Sequence, residues 1–391
     1  MIDKTDTAFL LFSAALVLLM TPALAVFYGG LVRRKNVLSV VIQSLIMISI
    51  VTLEWIYVGY SLSFGPDLHG IIGSLKYFAL RGVGLEPSPD YASTVPHMVF
   101  MIYQCMFAVI TPALITGAFA ERVRFRGFVI FSLLWALVVY NPLCHWIWGG
   151  GWLGKLGVLD FAGGLVVHAS CGAAALVTAL VIGPRKGYGR EPFIPHNLLL
   201  TVIGTGLLWF GWFGFNAGSA LEVNGTAVQA FVNTHVAAMT AMAVWVLVER
   251  FHQGKPTTLG ACSGAIAGLA TITPAAGFVE VNAAVLIGVL AGLICYLAVL
   301  AKNRLGYDDA LDVVGIHGVG GVIGTLCVGL LSEEGKFVPQ LIGVAATVVY
   351  TLVATFILAK VVDVVFGFRA DSEAEVNGLD IAEHGEEAYA F

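Results

Sequence analysis

The chain predicts an all-α polytopic membrane protein of eleven transmembrane helices, built as an inverted 5+5 repeat with an eleventh helix added. Three observations carry that prediction. The 391 residues are 58% hydrophobic and only 12% charged, with a mean hydropathy of +0.89, whereas a soluble domain is roughly half apolar and a quarter charged. The apolar residues fall into runs of about 20, each long enough to cross a hydrocarbon core of about 30 Å as a helix. Two of those runs also repeat one arrangement. Residues 159–180 read LDFAGGLVVHASCGAAALVTAL and residues 308–330 read DDALDVVGIHGVGGVIGTLCVGL. Asp160 stands before His168 as Asp309 stands before His317, and small residues follow both histidines.

Spans are expected near 8–31, 38–64, 97–120, 126–146, 160–183, 197–218, 227–249, 259–275, 282–301, 311–331 and 339–366. The N-terminal run is too long for a signal-peptide core and has acidic residues beside Lys4, so it reads as a retained first span. With the N-terminus outside, only Lys4, Lys76, Arg81, Lys155 and Lys336 of the 20 lysines and arginines lie on the outer side. The rest collect inside, a positive-inside pattern that places the C-terminus inside. The loop GPRKGYGREPFIPHN (183–197) is the midpoint, dividing the chain into halves of about 1–190 and 191–335. Five helices per half send the second half in from the opposite face, which brings related sites together near the membrane midplane. Residues 1–370 therefore form one transmembrane domain, and 371–391 a cytoplasmic tail. The tail's acidic composition favours a disordered end, and its mixed segment GLDIAEHGEEAYAF leaves a docking role open.

Glycine is abundant at 46 residues. Gly260, Gly264 and Gly268, Gly288 with Gly292, and Gly320 with Gly324 make small-xxx-small faces for close helix packing. The six cysteines sit in apolar segments without CxxC spacing and read as small buried hydrophobes. The net charge of −5 is small and gives no reason to expect a nucleic-acid partner. An internally repeated span set points to a transporter or channel more than to a receptor or a membrane enzyme.

Ionisable groups at membrane depth are expensive and face a cavity or a partner. The candidates are Glu54, Asp160, His168, His235, His317 and Asp363. A lone histidine is more often a satisfied core residue, but the symmetric placement of His168 and His317 favours a shared lumen. Two adjacent imidazoles in an apolar lumen do not both carry charge. They can hold one proton between them and line a path for a small molecule that both donates and accepts hydrogen bonds. No metal is expected, since zinc sites use three or four protein ligands. Asp160 reads locally as a helix N-cap. Trp146, Trp148 and Trp152 in the outer loop form an interface belt, and a tryptophan face can also hold a cation.

The segments FYGGLVRRKN (27–36), GAFAERVRF (117–125), HWIWGGG (145–151), LDFAGGLVVH (159–168), WFGFNAGSA (212–220), DVVGIHGVGG (312–321) and GLDIAEHGEEAY (378–389) run nearly end to end. Through them the chain resembles the Amt/Mep/Rh ammonium transporter superfamily, on the bacterial and archaeal Amt branch. The resemblance implies a homotrimer in the cell membrane, in contact with membrane lipid, with one narrow pore per subunit, no cofactor and no enzymatic activity. It implies an outer recruitment site for ammonium, or methylammonium as its analogue, at Trp148 and Ser219, with Phe107 and Tyr103 beside them. Phe107 and Phe215 match a ring pair that closes the pore, and His168 and His317 match a twin-histidine lining. Trp212 and Thr273 match wall positions, and Asp160 a carboxylate needed for ion binding or site integrity. The inner loops and tail resemble a docking surface for PII-type nitrogen-signalling proteins. Tyr103 stands where many members carry phenylalanine, and Glu54 where an apolar residue is expected.

Overall fold

The computed structural model describes residues 2–88 and 90–389, so Met1, Pro89 of the long loop and the last two tail residues lie outside the described residues. Among the described residues, eleven apolar helices follow one another. They are α1 (Lys4–Leu31), α2 (Arg34–Phe64), α3 (His97–Phe119), α4 (125–147), α5 (Gly164–Ile182), α6 (Leu198–Ala217), α7 (Gly225–Gln253), α8 (Thr258–Ile272), α9 (Val281–Leu305), α10 (Val314–Leu331) and α11 (Phe337–Phe366). Several start on a residue suited to capping. Asp3 accepts from the Thr5 and Asp6 N–H groups, Asn197 from Leu199 and Leu200, Asn224 from Ala227, and Thr257 from Gly260. Gly254 and Gly306 end α7 and α9 in the left-handed conformation, at φ 84° and 75°.

Ten helices are long and apolar enough to cross a membrane. The exception is α8, whose 15 residues span only about 22 Å at the helical rise. Its sequence stays apolar through Ala276, but Pro274 cannot continue the hydrogen-bond ladder. The segment beyond folds back instead, with Ala275, Ala276 and Val279 buried. Irregular backbone is tolerated at membrane depth where protein covers it.

The three glycine faces are all used. On α8, Gly260, Gly264 and Gly268 meet Glu249, Trp245 and Ala237 of α7. Gly288 and Gly292 of α9 meet Ala237 and Ala241 of the same helix, while Gly320 and Gly324 of α10 face Thr271 of α8. A further tight crossing lies between α5 and α10, where a Cβ added to Gly172 would sit 2.1 Å from the Gly318 Cα. Nearby, Gly321 faces the Gly164 carbonyl and the Ala169 N–H, so the two helices run antiparallel at this point.

The end of the bundle that carries the 65–96 loop is called upper here, and the end that carries the tail lower. Two short antiparallel ladders, Asp67–Leu68 with Ile72–Gly73 and Pro87–Ser88 with Ala92–Pro96, fold the loop over the upper end. At the lower end the tail is ordered through Tyr389, where composition favoured a free end. The reason is helix capping, since its acidic side chains meet unpaired helix N–H groups. Asp380 accepts from the Leu38 and Ser39 N–H groups of α2 at 3.0 and 2.8 Å, and Glu383 accepts from Phe125 N–H of α4 at 2.9 Å. Glu54 finds its partner in α4, whose Asn141 amide donates to one carboxylate oxygen at 2.7 Å.

Gly172→Val forces Gly318 away, and overpacking a tight crossing costs about 1–3 kcal/mol or more. The expected outcome is a lower melting temperature in detergent. A melting curve unchanged from wild type would show that the crossing is not tight.

Candidate functional site

The site is assembled where α5 begins. Residues 158–160 approach without regular structure, 161–163 bend, and Gly163, at φ 117°, makes the turn that starts the helix. The first turns of an apolar helix leave N–H groups without partners, and Asp160 supplies them. One carboxylate oxygen accepts from Gly163 and Gly164 at 2.9 and 2.6 Å, and the other from Leu165 and Val166 at 2.8 and 3.1 Å. The first helical stretch, Gly164–Ala169, is a π-helical turn, and so is Val314–Gly318 at the start of α10. His168 and His317 both lie in these wide turns, a backbone form common at functional sites. Asp309 stands before α10 as Asp160 stands before α5 and accepts from Val314 N–H at 2.7 Å.

The two imidazoles meet between the helices. Their Nδ1 atoms are 3.2 Å apart and their rings stack at 5.2 Å with 21° between planes. A bond between two Nδ1 atoms requires that one carry the hydrogen and the other accept it. His168 Nε2 has no protein partner among the described residues and is buried. Both rings line a cavity walled by Leu114, Val167, Leu208, Trp212 and Phe215. Its free space is about 10 Å³, room for about one water-sized molecule. Trp212 is fixed beside His168, its ring 5.5 Å away and its Nε1–H donated to Thr273 Oγ1 at 2.9 Å.

Phe215 of this cavity's wall packs on the ring of Phe107, with centroids 4.3 Å apart. Above them opens a second cavity of about 300 Å³, lined by Phe107, Trp148, Ser219, Gln104 and Asp90. The Trp148 ring stands edge-on to Phe107 at 6.0 Å and donates its Nε1–H to the Asp160 carbonyl at 2.7 Å. The Ser219 hydroxyl donates to the Phe215 carbonyl at 2.9 Å and lies 3.3 Å from the Tyr103 hydroxyl, and its oxygen, with two lone pairs, keeps one for a guest. Tyr103 is set one layer back. It is fully buried behind Phe107, and its hydroxyl lies 2.9 and 3.0 Å from the Phe215 and Gly214 carbonyls. Of the remaining sequence candidates, Glu54 pairs with Asn141, His235 lies against the ring of Trp209, and Asp363 accepts from Phe368 N–H near the lower end.

Gln104 escaped the sequence reading. Its Oε1 is buried without a protein partner among the described residues, and its side chain lines the upper cavity. The signal was available, since Gln104 is a polar residue in an otherwise apolar helix, one turn before Phe107. The loop that carries Trp148 is clamped by a second unforeseen group. The fully buried His145 bridges the Ser63 carbonyl at 2.9 Å and the Asp67 carboxylate at 3.0 Å, and Lys155 holds the other Asp67 oxygen. The hydrogen bonds from His145 and then Lys155 pull the Asp67 carboxyl down to about 2.

The family model described as Ammonium Transporter Family matches residues 8–389. The chain belongs to the Ammonium Transporter Family. It is 50% identical to an "Ammonium transporter" of Bacillus subtilis over 98% of both chains. It is 48% identical to "Ammonium transporter Amt1" of Archaeoglobus fulgidus over 98% of this chain and 99% of that one. The crystal structure of Saccharomyces cerevisiae Mep2 superposes with a TM-score of 0.89 at 37% identity, covering 95% of this chain and 91% of that one. A structure titled "Sensor Amt Protein" gives 0.92 at 29% identity, over 97% of this chain and 98% of that one. Family and span pattern together make this transporter-family member a multi-pass protein of the cell membrane.

The Asp160 geometry separates a structural role from a purely electrostatic one. Asp160→Asn keeps the shape but turns an NH₂ group toward two N–H donors, and Asp160→Ala removes both acceptor oxygens and with them all four hydrogen bonds. Each buried unsatisfied group costs about 1–3 kcal/mol. Melting temperature in detergent is expected to fall in the order wild type, Asn, Ala. Reduced uptake with an unchanged melting temperature in Asp160→Asn would assign the carboxylate to cation attraction alone.

Proposed function

We propose that this chain transports ammonium across the cell membrane, recruiting the ion outside and passing ammonia through the twin-histidine pore. The observation that carries the reading is the sequence of environments along one line. A polar cavity with the Trp148 ring and Ser219 oxygen comes first, then the Phe107–Phe215 closure, then an apolar passage one small molecule wide beside two hydrogen-bonded imidazoles.

Each environment suits a different form of the substrate. A tryptophan face attracts a cation, and Ser219 and Gln104 offer oxygen acceptors to N–H donors. Below the phenylalanines the wall is apolar, so a bare charge is expensive there. The ion sheds its proton near the ring pair, and neutral ammonia moves on along His168 and His317, with Trp212 and Thr273 forming the wall. The imidazole pair can donate to ammonia or accept from it without a net charge in the lumen. The proton either returns to the outer side or crosses separately. If it crosses, about 2.3 kcal/mol per 100 mV acts on each turnover. Potassium has no proton to shed and stays out.

The finer architecture follows the same reading. The upper end faces outside, the lower end with the C-terminal tail faces the cytoplasm, and α8 counts as the eleventh crossing. The antiparallel contact of α5 and α10 supports the inverted repeat. The functional unit is a homotrimer, as the family resemblance implies. The ordered tail segment beneath the inner loops supports that face as the docking surface for a PII-type protein.

The test is methylammonium uptake by His168→Ala and His317→Ala in liposomes. Losing one partner leaves the other imidazole unpaired and breaks the lining, and uptake should fall about tenfold or more. Wild-type uptake in either variant would remove the pair from the mechanism.

A further inference from the structure

One buried side chain outside the site described above acts on it from a distance. Gln340 lies near the start of α11, the helix without a counterpart in the two halves, and is fully buried. Its amide oxygen accepts from Leu159 N–H at 2.8 Å, while its nitrogen donates to the Leu159 carbonyl at 2.7 Å and to the Thr325 carbonyl at 3.2 Å. Both amide donors and the acceptor oxygen are thereby used, and both backbone groups of Leu159 are satisfied by a single side chain. Gly343 on the same helix lets α11 come this close, since a Cβ there would lie 2.8 Å from Val158 Cγ1.

Leu159 immediately precedes Asp160, whose carbonyl receives the Trp148 indole and whose carboxylate starts α5. Thr325 lies on α10 with His317. Gln340 therefore ties the segment that anchors the tryptophan to the helix that follows the second imidazole. The lower end has a counterpart. Asp308 immediately precedes Asp309, and its carbonyl accepts from the buried Arg122 guanidinium at 2.5 Å while Arg185 holds its carboxylate at 2.8 Å. Arginines serve near the lower loops, where acidic partners compensate them. In the apolar upper wall the same task falls to a neutral amide, which needs no counter-charge.

We propose that Gln340 is a positioning residue for the upper cation site. By fixing both backbone groups of Leu159 it holds the Asp160 carbonyl against Trp148 Nε1 and so sets the ring's pose over the cavity. The uptake part of the test rests on the ammonium-transport reading, and the spectroscopic part does not.

The test uses the full chain in liposomes, with Gln340→Met, which is similar in length and apolar, and Gln340→Glu, which keeps an acceptor for Leu159 N–H. Each is made alone and with Trp148→Phe, which keeps a ring but removes the indole donor. Losing the clamp should raise the methylammonium concentration for half-maximal uptake about five- to tenfold in Gln340→Met, with a maximal rate within about twofold of wild type. In the Trp148→Phe background the same substitution should shift it by less than about twofold, because the bond it protects is already gone. With 5-fluorotryptophan labelling, the ¹⁹F resonance identified by its loss in Trp148→Phe should move or split in Gln340→Met. Equal shifts in both backgrounds, an effect on maximal rate alone, or an unmoved resonance in a folded variant would overturn the proposal. If Gln340→Met does not fold, Gln340→Glu is read by the same criteria. Absent uptake by wild type together with a moved resonance would overturn the transport reading and leave the positioning role standing.

Discussion

Four backbone N–H groups converge on the Asp160 carboxylate, and the start of α5 depends on that convergence. An apolar helix that starts inside a membrane protein has donors that neither water nor a preceding turn can satisfy. A single carboxylate resolves this at the start of α5. The same residue's carbonyl then fixes Trp148. Helix start and the Trp148 ring are thus held by one amino acid, and His168 follows at a set distance along the helix.

The second constraint is dryness. The cavity beside the imidazoles is walled by aliphatic and aromatic side chains and has room for about one small molecule. In such a medium the imidazoles do best as a pair that satisfies itself, and the 3.2 Å contact between Nδ1 atoms is that arrangement. Close approach of α5 and α10 makes it possible, and the facing glycines 172 and 318 make the close approach possible. Packing and hydrogen bonding are here consequences of one crossing. The lower end is held differently, by Arg33, Arg122 and Arg185 against Glu121 and Asp308. Burial alone would raise the Asp308 carboxyl, but the Arg185 hydrogen bonds and the Arg122 charge outweigh it and keep the group below its usual range.

What the sequence made visible was whatever repeats or has a period. The span pattern, the glycine faces and the echo of Asp160/His168 in Asp309/His317 are local or periodic features, and the helices and their contacts follow them. The Asp160 capping role followed from its place before an apolar run. The features that stayed hidden depend on partners far away in the chain. Glu54 needs Asn141, Gln340 needs Leu159, and Asp380 needs the start of α2. No window of residues contains both members of such a pair. The π-helical turns under the two histidines leave no pattern of their own. Tyr103 illustrates a finer limit, since its position was readable but the turn of its hydroxyl toward the Phe215 carbonyl was not. Composition misjudged the tail because it registers charge and not the helix ends that the charge meets.

If the passage excludes bare charge and admits only what can lose a proton, selectivity between two cations of similar size follows without a filter. Reconstituted protein in liposomes, given equal ammonium and potassium gradients with internal pH and potassium both recorded, tests this directly. The account predicts rapid ammonium entry with no potassium flux above protein-free liposomes. Potassium entry at a rate comparable to ammonium would contradict it.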